Sequence, residues 1–264
     1  MSELIPISLI ASPHEEQAWN RQQLSVPVSE PQVRFWAYEA PGVVLGCSQS
    51  GLVSAVDAAH RAGMPLAGRQ AGGGAVLVGP WMLSVSVIVP VTHPFALGGA
   101  LTGYRQIGEG FAAVLRDLGI DAHAVTPEQA KSAQERDAGS SLQWACYGGL
   151  SPWEVVANGK KIVGLAQVRR RTGVLVAAGL LLSRPDWPDL CRAVGKPAGD
   201  ADLLALRTTS CAEELGWEPT LPEVAIGLRR HLQETIRSST SPDSRVFSFG
   251  NRLIQNSEAD ELLV

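Results

Sequence analysis

The chain has 264 residues, 45% of them apolar and 18% charged, with 27 Gly and 17 Pro, the profile of one folded, turn-rich domain and not of a disordered chain. A net charge of −4 supplies no basic field, which argues against nucleic acid as a partner. The N-terminus lacks a basic segment followed by a signal-length apolar core. The most apolar window, residues 74–91, is interrupted by Gly79, Pro80 and serines, so the chain reads as a cytoplasmic protein without a membrane span.

Ser12-Pro13-His14-Glu15 is a capping-box pattern with proline at the first helical position, and it predicts that the chain opens with a helix from Pro13 toward Gln23. Residues 33–45 read as two short strands around Pro41-Gly42, and a helix is expected near Val53 to Ala62, stopped by Gly63. The glycine triplet Gly72-Gly73-Gly74 then leads into strands Ala75 to Val78 and Met82 to Val89, expected to pair as a hairpin about Gly79-Pro80.

Ile107, Phe111, Val114, Leu115 and Leu118 fall at helical spacing before Gly119. The polar run from Thr126 to Gln143 reads as a solvated helix or a mobile loop. Beyond it, strand, Asn158-Gly159 turn, strand, basic turn and a third apolar strand predict a meander. Short helices are expected from Ser210 to Leu215 and Thr220 to Ile236. The organisation expected is a catalytic domain over 1–237 and a polar tail over 238–264.

Cys47, Cys146, Cys191 and Cys211 form no C-x-x-C pair, and no Cys/His cluster has metal spacing, so neither a disulfide scaffold nor a metal site is expected. Cys47, Cys191 and Cys211 lie in apolar or helical contexts and read as structural, and lone His93 and His123 as surface or satisfied residues. Two segments carry more chemistry. In Arg69-Gln70-Ala71-Gly72-Gly73-Gly74-Ala75-Val76 a cation precedes residues that let backbone approach a ligand. In Asn158-Gly159-Lys160-Lys161-Ile162-Val163-Gly164-Leu165-Ala166-Gln167 two lysines open a strand, where alternation lets only one face inward. Each segment alone also fits an ordinary turn.

Taken together in this order, and followed by VLVAAGLLL and TTSCAEELG, the two segments resemble the lipoate–protein ligase and octanoyltransferase family over about Arg34 to Leu215. The resemblance implies an α+β fold: a mixed, mainly antiparallel sheet flanked by helices, as in biotin ligase and class II aminoacyl-tRNA synthetases. It implies that Lys161 contacts the acyl group and that Lys160 is solvated. It also implies that Arg69, Gly72, Gly73, Gly74, Ala75, Val76 and Leu77, with Gly164, Ala166, Gln167, Ala178 and Gly179, line the acyl or nucleotide site.

The run from Cys146 to Gln167 is similar to the cysteine-dependent octanoyltransferases, which implies Cys146 as the nucleophile carrying the acyl group as a thioester. The donor implied is an acyl-carrier protein, and the acceptors are lipoyl domains or the glycine cleavage H protein. No tightly bound cofactor is implied. An ATP-dependent ligase using Mg and an acyl-adenylate is the alternative, and a non-catalytic acyl- or lipoyl-domain-binding member is a further one. Many ligases of the family carry a C-terminal accessory domain, for which little sequence remains beyond Ile236. Biotin ligases usually carry G-R-G-R-x-G-R, which does not occur here. The chain departs from the family pattern at Gly68-Arg69, Val78-Gly79 and Ala178-Gly179, where members often have an Arg pair, a His and a His-Gly step. The Arg169-Arg170-Arg171 turn reads as solvated, or as a docking point for an acceptor.

Overall fold

The computed structural model describes residues 7–49 and 64–238; the helix expected near Val53 to Ala62 and nearly all of the expected tail lie outside the described residues. In chain order the elements are β1 (Ile7–Ile10), α1 (Pro13–Gln23), β2 (Gln32–Tyr38), β3 (Gly42–Leu45), β4 (Leu66–Gly68), β5 (Val76–Val78), β6 (Met82–Val89), α2 (Pro94–Leu97), α3 (Ala100–Asp117) and β7 (Ala122–Ala124). They continue with α4 (Pro127–Arg136), β8 (Val155–Ala157), β9 (Lys160–Arg169), β10 (Val174–Leu181), α5 (Trp187–Ala193), α6 (Gly199–Arg207), α7 (Cys211–Leu215) and α8 (Leu221–Ser238).

A seven-stranded sheet runs β1-β2-β6-β10-β9-β8-β7, and a three-stranded sheet runs β4-β3-β5. The large sheet is antiparallel except for β1 on β2, which confirms the α+β class and the meander β8-β9-β10. Both sheet edges hold elements that the sequence reading passed over. β1 precedes α1, so the chain does not open with a helix, and three-residue β7 is too short to show alternation.

The expected hairpin of β5 and β6 is not formed. β5 pairs with β3 in the small sheet, whereas β6 pairs with β2 and β10 in the large one. Gly79-Pro80 is therefore a corner between sheets, where a Cβ on Gly79 would meet the Trp81 ring at 2.5 Å. The turn residues report a reversal of direction and carry no information on pairing partner.

Alternation along β6 separates two cores. Leu83, Val85, Val87 and Val89 face α3 and α8 with Ile107, Phe111, Leu115, Leu228 and Leu232. On the other face, Met82 joins Trp36 in a cluster built around the small sheet with Val43, Val44, Leu77 and Trp187. Burying one such large side chain contributes about 1.5–3 kcal/mol, so β6, buried along its whole length, is the structural centre. The polar run after Thr126 forms α4 because Thr126 and Gln129 make a reciprocal capping box and Ala130 and Ala133 supply a small buried face.

Candidate active site

Cys146 begins a single 3-10 turn, Cys146–Gly148, that follows another at Ser141–Trp144. This loop is docked onto the glycine triplet. The Ala75 N–H donates to the Trp144 carbonyl (2.7 Å), and the Cys146 N–H donates to the Ala75 carbonyl (2.8 Å). The approach is too close for side chains: a Cβ on Gly74 would lie 2.5 Å from the Ala145 carbonyl carbon, and one on Gly46 would lie 1.9 Å from the Gly73 oxygen. Arg69 folds over the same loop, donating to Gly72 O (3.1 and 2.9 Å) and Gly74 O (2.8 Å). Glycines here let two backbone segments meet, beyond any approach to a ligand.

Lys161 fixes the turn from below. Of the two adjacent lysines, Lys161 is the buried one at 2% exposure and Lys160 is half-buried. The Lys161 Nζ donates to Cys146 O (2.6 Å) and Gly149 O (3.1 Å), and pairs with Glu154 Oε2 (2.7 Å). An ammonium has three N–H donors, and all three are matched. Glu154 in turn accepts from the N–H groups of Ser151 (2.7 Å) and Leu165 (3.1 Å), so neither buried charge is left uncompensated. The sequence reading missed Glu154. Its signal is an acid set between Trp153 and Val155 in an otherwise apolar run.

Two further ties complete the turn. Tyr147 donates its hydroxyl to Gly179 O (2.6 Å), and burial, first, together with the nearby Cys146 and Glu154 charges, holds its pKa well above the usual phenol value, so it stays a donor. Arg207 donates to Gly148 O (2.6 Å) while paired in both prongs with Asp137 (2.9 and 2.9 Å). Cys146 itself is partly exposed.

A mainly apolar cavity opens beneath this turn. Its floor is the face of the large sheet carrying Ser84, Gly164, Ala166, Ala177 and Gly179, and its roof is Val44, Val76 and Val78 with Glu16 and Gln17 of α1. Small residues on three adjacent strands leave the space, since a Cβ on Gly164 would already touch Cys146 Sγ at 3.5 Å. A second, more polar groove lies outside, along Gly73, Gly74, Gln143, Gly149, Ser151, Glu154 and Arg207. Arg69, Cys146 and Leu165 border both spaces, so the thiol stands where an apolar chamber meets an open groove.

The structure thus brings Cys146, Arg69, Gly164, Ala166, Val76 and Gly179 together around the cavity, with Gly73 and Gly74 on the groove and Lys161 bonded to the Cys146 carbonyl behind the turn. Other expected lining residues point elsewhere. Leu77 and Ala75 are fully buried on the side of the small sheet opposite Val76 and Val78, and Gly72 lends its carbonyl to Arg69. Gln167 turns toward the start of α3, its amide donating to Ala100 O (3.4 Å). Ala178 borders the cavity, but strand alternation sends its side chain into the core below α3.

Burial raises the thiols of Cys191 to about 11 and Cys211 to about 12, fitting structural roles. Cys47, expected among the structural cysteines, is exposed on a 3-10 turn. His93 caps α2, His123 is exposed, and Arg169 of the basic turn donates to Ala96 O (2.6 Å). Among the described residues no group of three or more His, Cys, Asp or Glu side chains is placed to hold a metal ion, and no helix is long and apolar enough to cross a membrane.

The model of the lipoyl protein ligase A/B catalytic domain family matches residues 13–233. Octanoyltransferase LipM of Kyrpidia tusciae is 36% identical over 180 residues, 68% of this chain and 64% of that protein, so the match spans just under two thirds of the relative. Octanoyltransferase LipM of Symbiobacterium thermophilum is 31% identical over 215 residues, 78% of this chain and 76% of that one. Among solved structures, lipoate-protein ligase A bound with ATP superposes with a TM-score of 0.64 at 21% identity, covering 90% of this chain and 86% of that one. A bi-partite lipoate protein ligase from Thermoplasma acidophilum, solved in a study that includes its E2 lipoyl domain, gives 0.61 at 19% identity, covering 88% and 82%. At these identities the superpositions establish the fold.

Proposed function

The chain belongs to the lipoyl protein ligase A/B catalytic domain family, and from that premise we propose that it is an acyltransferase moving an octanoyl or lipoyl group, through a Cys146 thioester, onto a lysine of a lipoyl domain or H protein. The observation that carries this reading is the position of Cys146, which borders both the apolar cavity and the polar groove while Lys161 grips its carbonyl.

In the first half-reaction the Cys146 thiolate attacks the carbonyl carbon of an acyl-carrier-protein thioester. A C–S bond forms to the enzyme, the donor's C–S bond breaks, and the donor thiolate leaves and is protonated. In the second, the acceptor lysine amine attacks the enzyme thioester from the groove, a C–N bond forms, the C–S bond to Cys146 breaks with the thiolate departing, and the proton shed by the nitrogen passes to water in the groove. The cavity holds the alkyl chain by burial. Lys161 acts as a fixed cation under the turn; with all its N–H groups committed, it positions Cys146 and stabilises negative charge developing beside it.

ATP and Mg belong to the ligase alternative. Its nucleotide would need free cations, whereas Arg69 and Arg207, which border the groove, are already bound to loop carbonyls and to Asp137. That commitment supports transfer over adenylation. The test is intact-mass spectrometry of the protein mixed with octanoyl-acyl-carrier protein without ATP. An octanoyl adduct released by hydroxylamine and missing in Cys146→Ser is the expected result. An adduct that persists in Cys146→Ser, or none at all, overturns the thioester, and adenylate formation from octanoate and ATP in its place would establish the ligase.

A further inference from the structure

Among the described residues lining the apolar chamber there is one carboxyl, and nothing in the transfer chemistry uses it. Glu16, on α1, is 4% exposed and lines the cavity together with Gln17, also buried, whereas Cys146, Arg69 and Leu165 mark the side shared with the groove. Tyr38, 2% exposed at the end of β2, donates its hydroxyl to Glu16 Oε2. Burial, the largest influence, raises the Glu16 carboxyl, and Arg69 at the cavity mouth opposes this. Glu16 is bonded to Tyr38 of β2, whereas Cys146 stands over Gly164 of β9, with β6 and β10 between those strands, and Val44, Val76, Val78, Met82 and Ala177 wall the same cavity together with Ser84 and Gln17.

We propose that Glu16, held by Tyr38, is the gauge that ends the acyl cavity and sets which chain lengths the protein accepts. The proposal deepens the transferase reading and rests on its assignment of the cavity to an acyl chain. A chain that stops short of Glu16 gains apolar contact with each methylene, about fourfold in affinity apiece. One methylene too many must displace the carboxyl from Tyr38. It then strands a buried donor and a buried acceptor without partners, and the cost overtakes the gain of contact. The polar pair discriminates against longer chains more sharply than an aliphatic wall, which yields by side-chain rotation.

Calorimetric titration with hexanoate, octanoate, decanoate and dodecanoate tests this without requiring transfer. Wild-type affinity should rise with length, pass a maximum and fall. Glu16→Ala should move the maximum to longer chains, raising the dodecanoate-to-octanoate affinity ratio about tenfold or more, while Glu16→Gln keeps the wild-type order. Where Glu16→Ala does not fold, Tyr38→Phe, which removes the donor and leaves the carboxyl, should shift the ratio in the same direction. An unchanged ratio in the folded variant, or a wild type that binds none of the acids, overturns the gauge. A wild type that binds octanoate with a length maximum but forms no Cys146 adduct refutes the transferase and leaves the gauge to be decided by the ratio.

Discussion

Glu154 and Lys161 meet at 2.7 Å with both side chains 2% exposed, and the same lysine reaches the carbonyl of Cys146 at 2.6 Å. The proposed nucleophile thus rests on a buried ion pair whose members come from the start of β9 and from the loop before β8. Removing one partner leaves the other charge buried without compensation, which costs about 3–5 kcal/mol. Glu154→Gln and Lys161→Met should each destabilise the protein by an amount of that order in urea unfolding. The double variant should recover much of the loss, because no lone charge remains, yet stay inactive in acyl loading. A double variant as unstable as the two singles summed would show that the pair is not coupled.

The glycine triplet allows a steric test. A Cβ on Gly74 would meet Ala145, Trp144 and Cys146 backbone at 2.5–2.7 Å, whereas one on Gly72 meets nothing within 4 Å. Gly74→Ala should displace the Cys146 turn, costing about 1–3 kcal/mol and most of the acyl-loading rate. Gly72→Ala should match wild type in melting temperature and rate. Equal behaviour of the two variants would mean that the loop adjusts freely and that Gly74 has no such role.

Cysteine reactivity should divide along burial. At pH 8 iodoacetamide should label Cys47 and Cys146 and spare Cys191 and Cys211, as read by peptide mapping. Because the Cys211 thiol is raised from 9 to about 12 by burial, its neutral form is favoured in the folded state. Its stabilising contribution is complete below pH 9 and disappears as the pH climbs toward 12. Stability of the wild type should therefore decline across that interval more steeply than that of Cys211→Ala, and parallel slopes would contradict the assignment.

A fourth expectation concerns the cavity floor. A Cβ on Gly179 would lie 3.1 Å from both Met82 Sδ and the Tyr147 hydroxyl. Gly179→Val should narrow the chamber and weaken octanoate binding by tenfold or more while the far-ultraviolet circular dichroism stays native, each lost methylene contact being worth about 0.8 kcal/mol. Unchanged octanoate affinity would place the chain elsewhere.

The local grammar of the chain was readable wherever the signal was local. Pro13 after Ser12 marked α1, the Ile107–Phe111–Leu115 stripe marked α3, and Asn158-Gly159 marked the turn between β8 and β9. Alternation said that one of Lys160 and Lys161 faces inward, and family resemblance chose Lys161, the residue that is buried. What could not be read were partners distant in sequence. The bond between Ala75 and Cys146, the Tyr38–Glu16 contact and the departure of β5 from β6 all depend on packing across the two sheets. Gln167, which family resemblance put beside the chamber, faces the start of α3, because it follows Ala166 on the strand and successive side chains point to opposite faces.

The corner at Gly79-Pro80 has one more implication. It joins Val78 in the roof to Met82 in the floor through only Gly79, Pro80 and Trp81, which works as a short covalent hinge pin between the two sheets. On that side the two sheets can part no farther than those three residues span. On the proposed reading an acyl group threads in methyl end first past Cys146, and its reactive end is the last part to arrive and the first to leave, so the carbonyl is always presented at the doorway where an amine waits.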